Sequence, residues 1–325
     1  MSRANLPRYV ERADNQAMPT PATLRNVTAY FFPLESDTQR QQALADKFLN
    51  APSKGLASYR AFFPQVFLVF THTGTVSSTV PVFRDQGSFN YTEAGIWIPL
   101  VSIDKTGPIP VATRLVLFPY YMFATSSHAV VSGREDQGWP KETAEITVPT
   151  RPSVADLFQI RPTLFDRFGP DVLAQKEYLV QVNRVGGTSR GVVAQGFTEG
   201  KAALEAIVDL VFGGPTITVP GLGLALSMVD LLRTGPTFAF LKQFRDVSDP
   251  SRACYQAGIE AGTQIDCFRW AGLLDGRYTL DVKTADSHPL VSGLGLSPRT
   301  FDAVRGFFVD MDFTLDTGVT RWKAF

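Results

Sequence analysis

Between Ala61 and Val193 the chain is cut into short runs rich in Val, Ile, Phe, Tyr and Thr, each bounded by Gly, Pro, Asn or Asp. That spacing is the pattern of an antiparallel sheet or barrel. It predicts strands near 66–73, 95–103, 112–118, 145–148, 178–185 and 191–195. The run RLVLFPYYMF (114–123) is apolar at odd and even positions alike, so a strand there should be buried on both faces. From Phe238 the alternation resumes and predicts strands at 254–260, 263–270, 278–282 and 307–315, with a short helix around 298–304.

Two stretches break the β pattern. Residues 37–49 are rich in Gln, Ala, Leu and Lys, good helix formers, with Asp37 or Thr38 as the cap. In EGKAALEAIVDLVFGG, Ala203, Ile207, Leu210 and Val211 fall at helical spacing and the pattern stops at a glycine pair. GLGLALSMVDLLRTG then reads as a second, mostly apolar helix. The expectation is a helical hairpin at about 200–235, inserted in or packed over the sheet. Residues 1–24 hold three prolines and little periodicity, and read as an N-terminal arm. The predicted fold is therefore mainly β (α+β), with residues 25–325 as one domain. It should be a large antiparallel barrel-like sheet with peripheral helices.

Composition removes several classes of function. Lys plus Arg equals Asp plus Glu at 31 each, so no net field draws nucleic acid or an anionic membrane surface. The polar N-terminus lacks a secretory core, and no run of about 18 apolar residues occurs. A soluble cytoplasmic protein is expected. Cys254 and Cys267 are too few for a disulfide framework and read as small hydrophobes. His72, His128 and His288 have no ligand spacing, so no metal is expected. GLGLAL (221–226) lacks the third glycine of a nucleotide loop, and Ser126-Ser127-His128 lacks a nucleophile elbow. No cofactor is expected.

The segment SGREDQGWPKETAEI (132–146) stands apart. Proline fixes its own φ and restricts the residue before it, so the Trp139-Pro140 pair aims Lys141 rigidly. A lysine held in a cavity by such a lead-in loses hydration of its charged form and becomes a nucleophilic amine. From these residues alone, a solvated lysine on a surface turn is the simpler reading.

Gly133, Arg134, Glu135, three residues, then Trp139, Pro140 and Lys141 resemble the Schiff-base lysine segment of the acetoacetate decarboxylase family. Tyr91, Thr92, Glu93, Ala94, Gly95 and Pro99 resemble a second segment of that family, at the expected distance before the lysine. The resemblance implies a homo-oligomeric lyase without cofactor that acts on a small-molecule oxo acid. Lys141 would form the iminium and Glu93 would handle protons. Arg25 sits where the family has an arginine that could hold the substrate carboxylate. Gln65 stands where the family has another glutamate, near the substrate. Arg134, Glu135, Trp139 and Pro140 would support the motif.

One departure bears on the chemistry. In the family a second lysine follows the first; here Glu142 does. Successive strand residues point to opposite faces, so Glu142 should lie away from the Lys141 amine. Decarboxylation of a β-keto or related oxo acid is the expected reaction. An aldolase or dehydratase that uses the same imine is the alternative within this class. A non-catalytic barrel binding an apolar ligand is the alternative outside it, motivated by the 25 phenylalanines.

Overall fold

The computed structural model describes residues 7–13, 17–106, 108, 110–186, 193–212, 216–219, 224–227, 236–297, 301–302 and 304–324. Its strands begin with β1 (Ala22–Glu35), β2 (Tyr59–Ala61), β3 (Gln65–Ser78), β4 (Phe89–Asp104), β5 (Val111–Ala124) and β6 (Lys141–Thr147). They continue with β7 (Leu157–Leu164), β8 (Gln175–Lys176), β9 (Val180–Arg184), β10 (Val193–Phe197), β11 (Thr216–Val219) and β12 (Leu224–Ser227). The last are β13 (Thr237–Arg245), β14 (Ala253–Leu274), β15 (Tyr278–Val282), β16 (Phe307–Leu315) and β17 (Val319–Lys323).

All but β11 and β12 share one sheet, ordered β15-β9-β7-β6-β5-β13-β14-β16-β1-β3-β4-β2. Because β4 also pairs with β5, the path from β5 through β13, β14, β16, β1 and β3 to β4 closes as a ring. Strands β6, β7, β9 and β15 leave that ring at β5 as a side sheet. The mainly β architecture with a few helices is as expected, with one correction: the sheet is mixed and is not a simple barrel. Strand β6 runs parallel to β5 because a helix (Ser127–Ser132) and a π-helical turn (Gly133–Gln137) carry the chain back before β6 starts.

The side-chain alternation of β1 explains how two apolar layers form. Tyr30, Phe32 and Leu34 enter one buried cluster, while Phe31 packs with Trp97 and Phe307 in another. Residues Leu115–Phe118 of β5 are all buried, as two apolar faces require. The arm ends earlier than the sequence suggests. Ala22 and Leu24 already pair with Ser78 and Val76.

The helix Thr38–Ala45 is capped by Asp37, whose Oδ1 accepts from the Gln39 and Arg40 amides at 2.7 and 3.3 Å. The first helix of the expected hairpin forms at Gly200–Phe212. The second is corrected over 224–227, where β12 pairs antiparallel with β11. The β-branched run Thr216–Val219 favours a strand and supplies that partner; residues 228–235 of the expected helix lie outside the described residues. Of the helix expected near 298–304, residues 298–300 and 303 lie outside the described residues. Val304 exchanges both backbone hydrogen bonds with Tyr278. Cys254 and Cys267 are exposed on β14 and do not serve as core hydrophobes. Among the described residues, no helix is long and apolar enough to cross a membrane.

Candidate active site

Lys141 is the first residue of β6, and the loop before it is held from several sides. The π-helical turn ends at Gly138, whose φ of 90° lies in the left-handed region that favours glycine. A Cβ there would also come within 2.5 Å of the Lys242 backbone. The Gly138 and Trp139 amides both donate to the Gly133 carbonyl, at 2.9 and 3.0 Å. The Lys141 amide donates to the Trp139 carbonyl at 2.7 Å, an inverse γ-turn centred on Pro140. The Trp139 ring packs on Phe238 and Phe240, and its Nε1 donates to Gln137 Oε1 at 2.9 Å. Arg134 Nη1 donates to the Lys141 carbonyl at 3.1 Å. The backbone at Lys141 is thus fixed on both sides of the side chain.

The stem of Lys141 runs over Gly133. A Cβ at Gly133 would meet Lys141 Cδ at 2.9 Å and Cε at 3.2 Å, so the motif glycine is where the lysine passes. In register, Lys141 lies beside Met122 of β5, and Met122 lies opposite Gly95 of β4. Glu93 is two residues from Gly95 and shares its face. The long side chains of Lys141 and Glu93 therefore converge across β5, with Nζ 2.5 Å from Oε2. Both residues are only 7% exposed. The two side chains form a close buried ion pair.

The pair faces a cavity of about 120 Å³. Alternate residues of the ring strands line it: Val27, Ala29 and Phe31 from β1, Thr71 and Thr73 from β3, Met311 and Phe313 from β16. Trp97 and Phe238 close it beside the lysine, and half-exposed Ile265 stands at its mouth. Lys141 Nζ lies 5.3 Å from the Tyr91 ring centre and 5.1 Å from that of Trp139. Desolvation, followed by the Glu93 charge, pushes the Tyr91 phenol well above the usual tyrosine range, so it stays un-ionised. A second space of about 60 Å³ adjoins the first and shares Leu24, Tyr91, Trp139, Lys141 and Leu315 with it.

The other residues singled out in the sequence fall in different places. Arg25 is turned outward by a β-bulge between Leu24 and Val27, and its Nη1 pairs with Asp266 Oδ2 at 2.9 Å. It does not line the cavity, which corrects its placement beside the substrate. Gln65 begins β3, opposite Glu35, six residues or about 20 Å of strand from Thr71. It borders a separate surface depression with Ser36 and Gly295 and is likewise corrected. Glu135 meets Tyr9 of the arm. Glu142 points to the opposite face of β6, where its Oε1 lies 2.7 Å from His288 Nε2.

Sequence reasoning missed the part of the arm that abuts this site. The Met18 amide donates to Ser132 Oγ at 2.8 Å. Thr20 donates to Asp136 Oδ2 from its amide at 2.9 Å and its hydroxyl at 2.6 Å. Gln137 Nε2 reaches Thr20 Oγ1 at 3.2 Å and the Asp316 carbonyl at 3.0 Å. The polar triplet Glu135-Asp136-Gln137 inside the motif was the available signal. Among the described residues, no group of three His, Cys, Asp or Glu side chains could hold a metal.

The ring with its side sheet matches the fold of solved acetoacetate decarboxylases. The chain has that fold. An acetoacetate decarboxylase from Legionella pneumophila superposes with a TM-score of 0.60 at 14% identity, covering 98% of this chain and 93% of that one. The enduracididine biosynthesis enzyme MppR complexed with pyruvate gives 0.55 at 13% identity, over 95% and 93%. An acetoacetate decarboxylase-like enzyme from Sphingomonas wittichii gives 0.54 at 13%, over 94% and 93%. No protein-family model and no curated protein sequence matches the chain.

Proposed function

We propose that the chain is a Schiff-base-forming carbon–carbon lyase of the acetoacetate decarboxylase superfamily, with Lys141 as the amine and Glu93 as the proton carrier. The observation that carries the reading is the contact of these two side chains inside an apolar cavity. Glu93 can take a proton from the Lys141 ammonium and leave a free amine. The amine adds to the substrate carbonyl, and loss of water forms the iminium. In a β-keto acid the bond to the carboxylate then breaks. Its electron pair moves into the iminium, giving carbon dioxide and an enamine. The enamine is protonated at carbon, and water releases the neutral ketone and restores the amine.

The cavity walls support decarboxylation in a second way. Among the described residues lining the cavity, Lys141 is the sole cation. A carboxylate surrounded by such walls is destabilised relative to uncharged carbon dioxide. The aldolase or dehydratase reading has its own support, since Glu93 beside the amine could take a carbon-bound proton. MppR, of the same fold, has been crystallised with the condensation product of pyruvate and imidazole 4-carboxaldehyde. The superfamily reading also carries the expectation of a cytoplasmic homo-oligomer, which light scattering would test.

The test follows a panel of oxo acids for carbon dioxide release and for solvent deuterium entering the product. A decarboxylase releases carbon dioxide, and Lys141→Ala abolishes the release. Removing a general base typically costs 10²- to 10⁴-fold. Glu93→Gln should therefore slow exchange of solvent deuterium into the ketone product by that order while carbon dioxide release stays measurable. Condensation or dehydration of the panel without carbon dioxide release selects the second reading, and undiminished turnover in Lys141→Ala overturns both.

A further inference from the structure

Lys141 borders two spaces of unequal size and character. The larger, about 120 Å³, is walled by Val27, Ala29, Phe31, Phe238, Met311 and Phe313. The smaller, about 60 Å³, has Thr20, Ser132, Asp136 and Gln137 among its walls. A dry apolar cavity of about 150 Å³ accepts benzene, whereas a water molecule takes about 30 Å³ of liquid. The larger space therefore matches a group slightly smaller than benzene, and the smaller one matches one or two carbons.

We infer that the carbonyl compound handled at Lys141 carries its larger, apolar substituent, of nearly benzene size, in the larger chamber and a small group in the smaller. In a β-keto acid the carboxylate sits on the α carbon of that larger substituent, against the apolar walls. The inference rests on the imine reading and adds the substrate class to it. An imine carbon bound to Nζ has two substituents, and Lys141 borders both chambers. Acetone-sized carbonyl compounds would leave most of the larger chamber unfilled and forgo its contacts. Trp97 and Phe238, packed edge to face at 5.1 Å between ring centres, bound this chamber and limit the length it accepts.

The probes are unbranched methyl ketones from acetone to 2-decanone, together with benzylacetone, trapped on the intact protein with cyanoborohydride and read by mass. The concentration for half-maximal labelling should fall about fourfold per added methylene, as transfer of a buried methylene predicts. The fall should stop at a substituent of about five carbons and then reverse. Ala29→Leu fills the chamber and should move the optimum to shorter ketones, and Ala29→Val should do so to a smaller extent if the leucine variant does not fold. Labelling that is indifferent to chain length, or best with acetone, overturns the inference and leaves the imine standing. No labelling of Lys141 by any ketone overturns both.

Discussion

Replacing Gly133 by alanine tests whether the motif aims the lysine. Gly133 has φ −62° and ψ −47°, ordinary helical values, so alanine meets no backbone strain there. Its methyl would lie 2.9 Å from Lys141 Cδ, 3.2 Å from Cε and 3.3 Å from Trp139 Cβ. Carbon atoms pack best at about 3.5–4.0 Å. The stem must therefore move by about 0.6–1 Å, because Trp139 is held by Phe240 and Gln137. Overpacking of this kind costs about 1–3 kcal/mol, which leaves most domains folded. A misplacement of about 1 Å at a reacting group can cost about 10²-fold in rate. Gly133→Ala should thus reduce the rate of reductive trapping at Lys141 by about 10- to 100-fold, with circular dichroism unchanged. The assay is single-turnover labelling by 2-butanone and cyanoborohydride, followed by mass. Labelling at the wild-type rate in a folded variant would refute the argument that this contact positions the amine.

Further outcomes follow from the same geometry. Removing one partner of a buried ion pair typically costs about 3–5 kcal/mol. Lys141→Met and Glu93→Gln should each lower stability, and the double variant should lose less than the sum, as urea unfolding would measure. Glu142→Gln should leave the pH dependence of trapping at Lys141 unchanged, because its carboxylate lies with His288 on the other face of β6; a displacement of more than about one pH unit would contradict that placement. Burial raises the phenols of Tyr30, Tyr59, Tyr91 and Tyr278 above the usual range. The unfolded chain then releases these protons first, near pH 10, so stability should fall as pH rises above about 10, by about 1.4 kcal/mol per unit for each tyrosine. Tyr59→Phe should make that slope shallower by one such share, and an unchanged slope would count against it.

What the sequence disclosed was local. The Trp139-Pro140 lead-in to Lys141 acts over a few residues and is readable without a partner strand, and the segments holding Gly133 and Glu93 were found by their resemblance to family motifs. The face of Glu142 was likewise fixed by strand alternation. The meeting of Lys141 with Glu93 was not derivable from the residues. It depends on β6 pairing parallel to the far end of β5, which only the helical crossover imposes. Arg25 was misplaced because a two-residue bulge reverses which side chains face inward, and periodicity gives no sign of it. The expected second helix failed over 224–227 for a related reason. An apolar tetrapeptide can serve either element, and β11 decides it. The contacts of Thr20 with Asp136 join residues far apart in the chain, and no pattern in an extended arm announces them.

The central claim is that the Lys141 amine, and no other, forms the imine. Peptide mapping after borohydride reduction in the presence of an isotopically labelled oxo acid or ketone tests it most directly. A single substrate-derived mass is expected on the peptide that contains Lys141, absent in Lys141→Ala. Label on another lysine, or label that persists in Lys141→Ala, would contradict it.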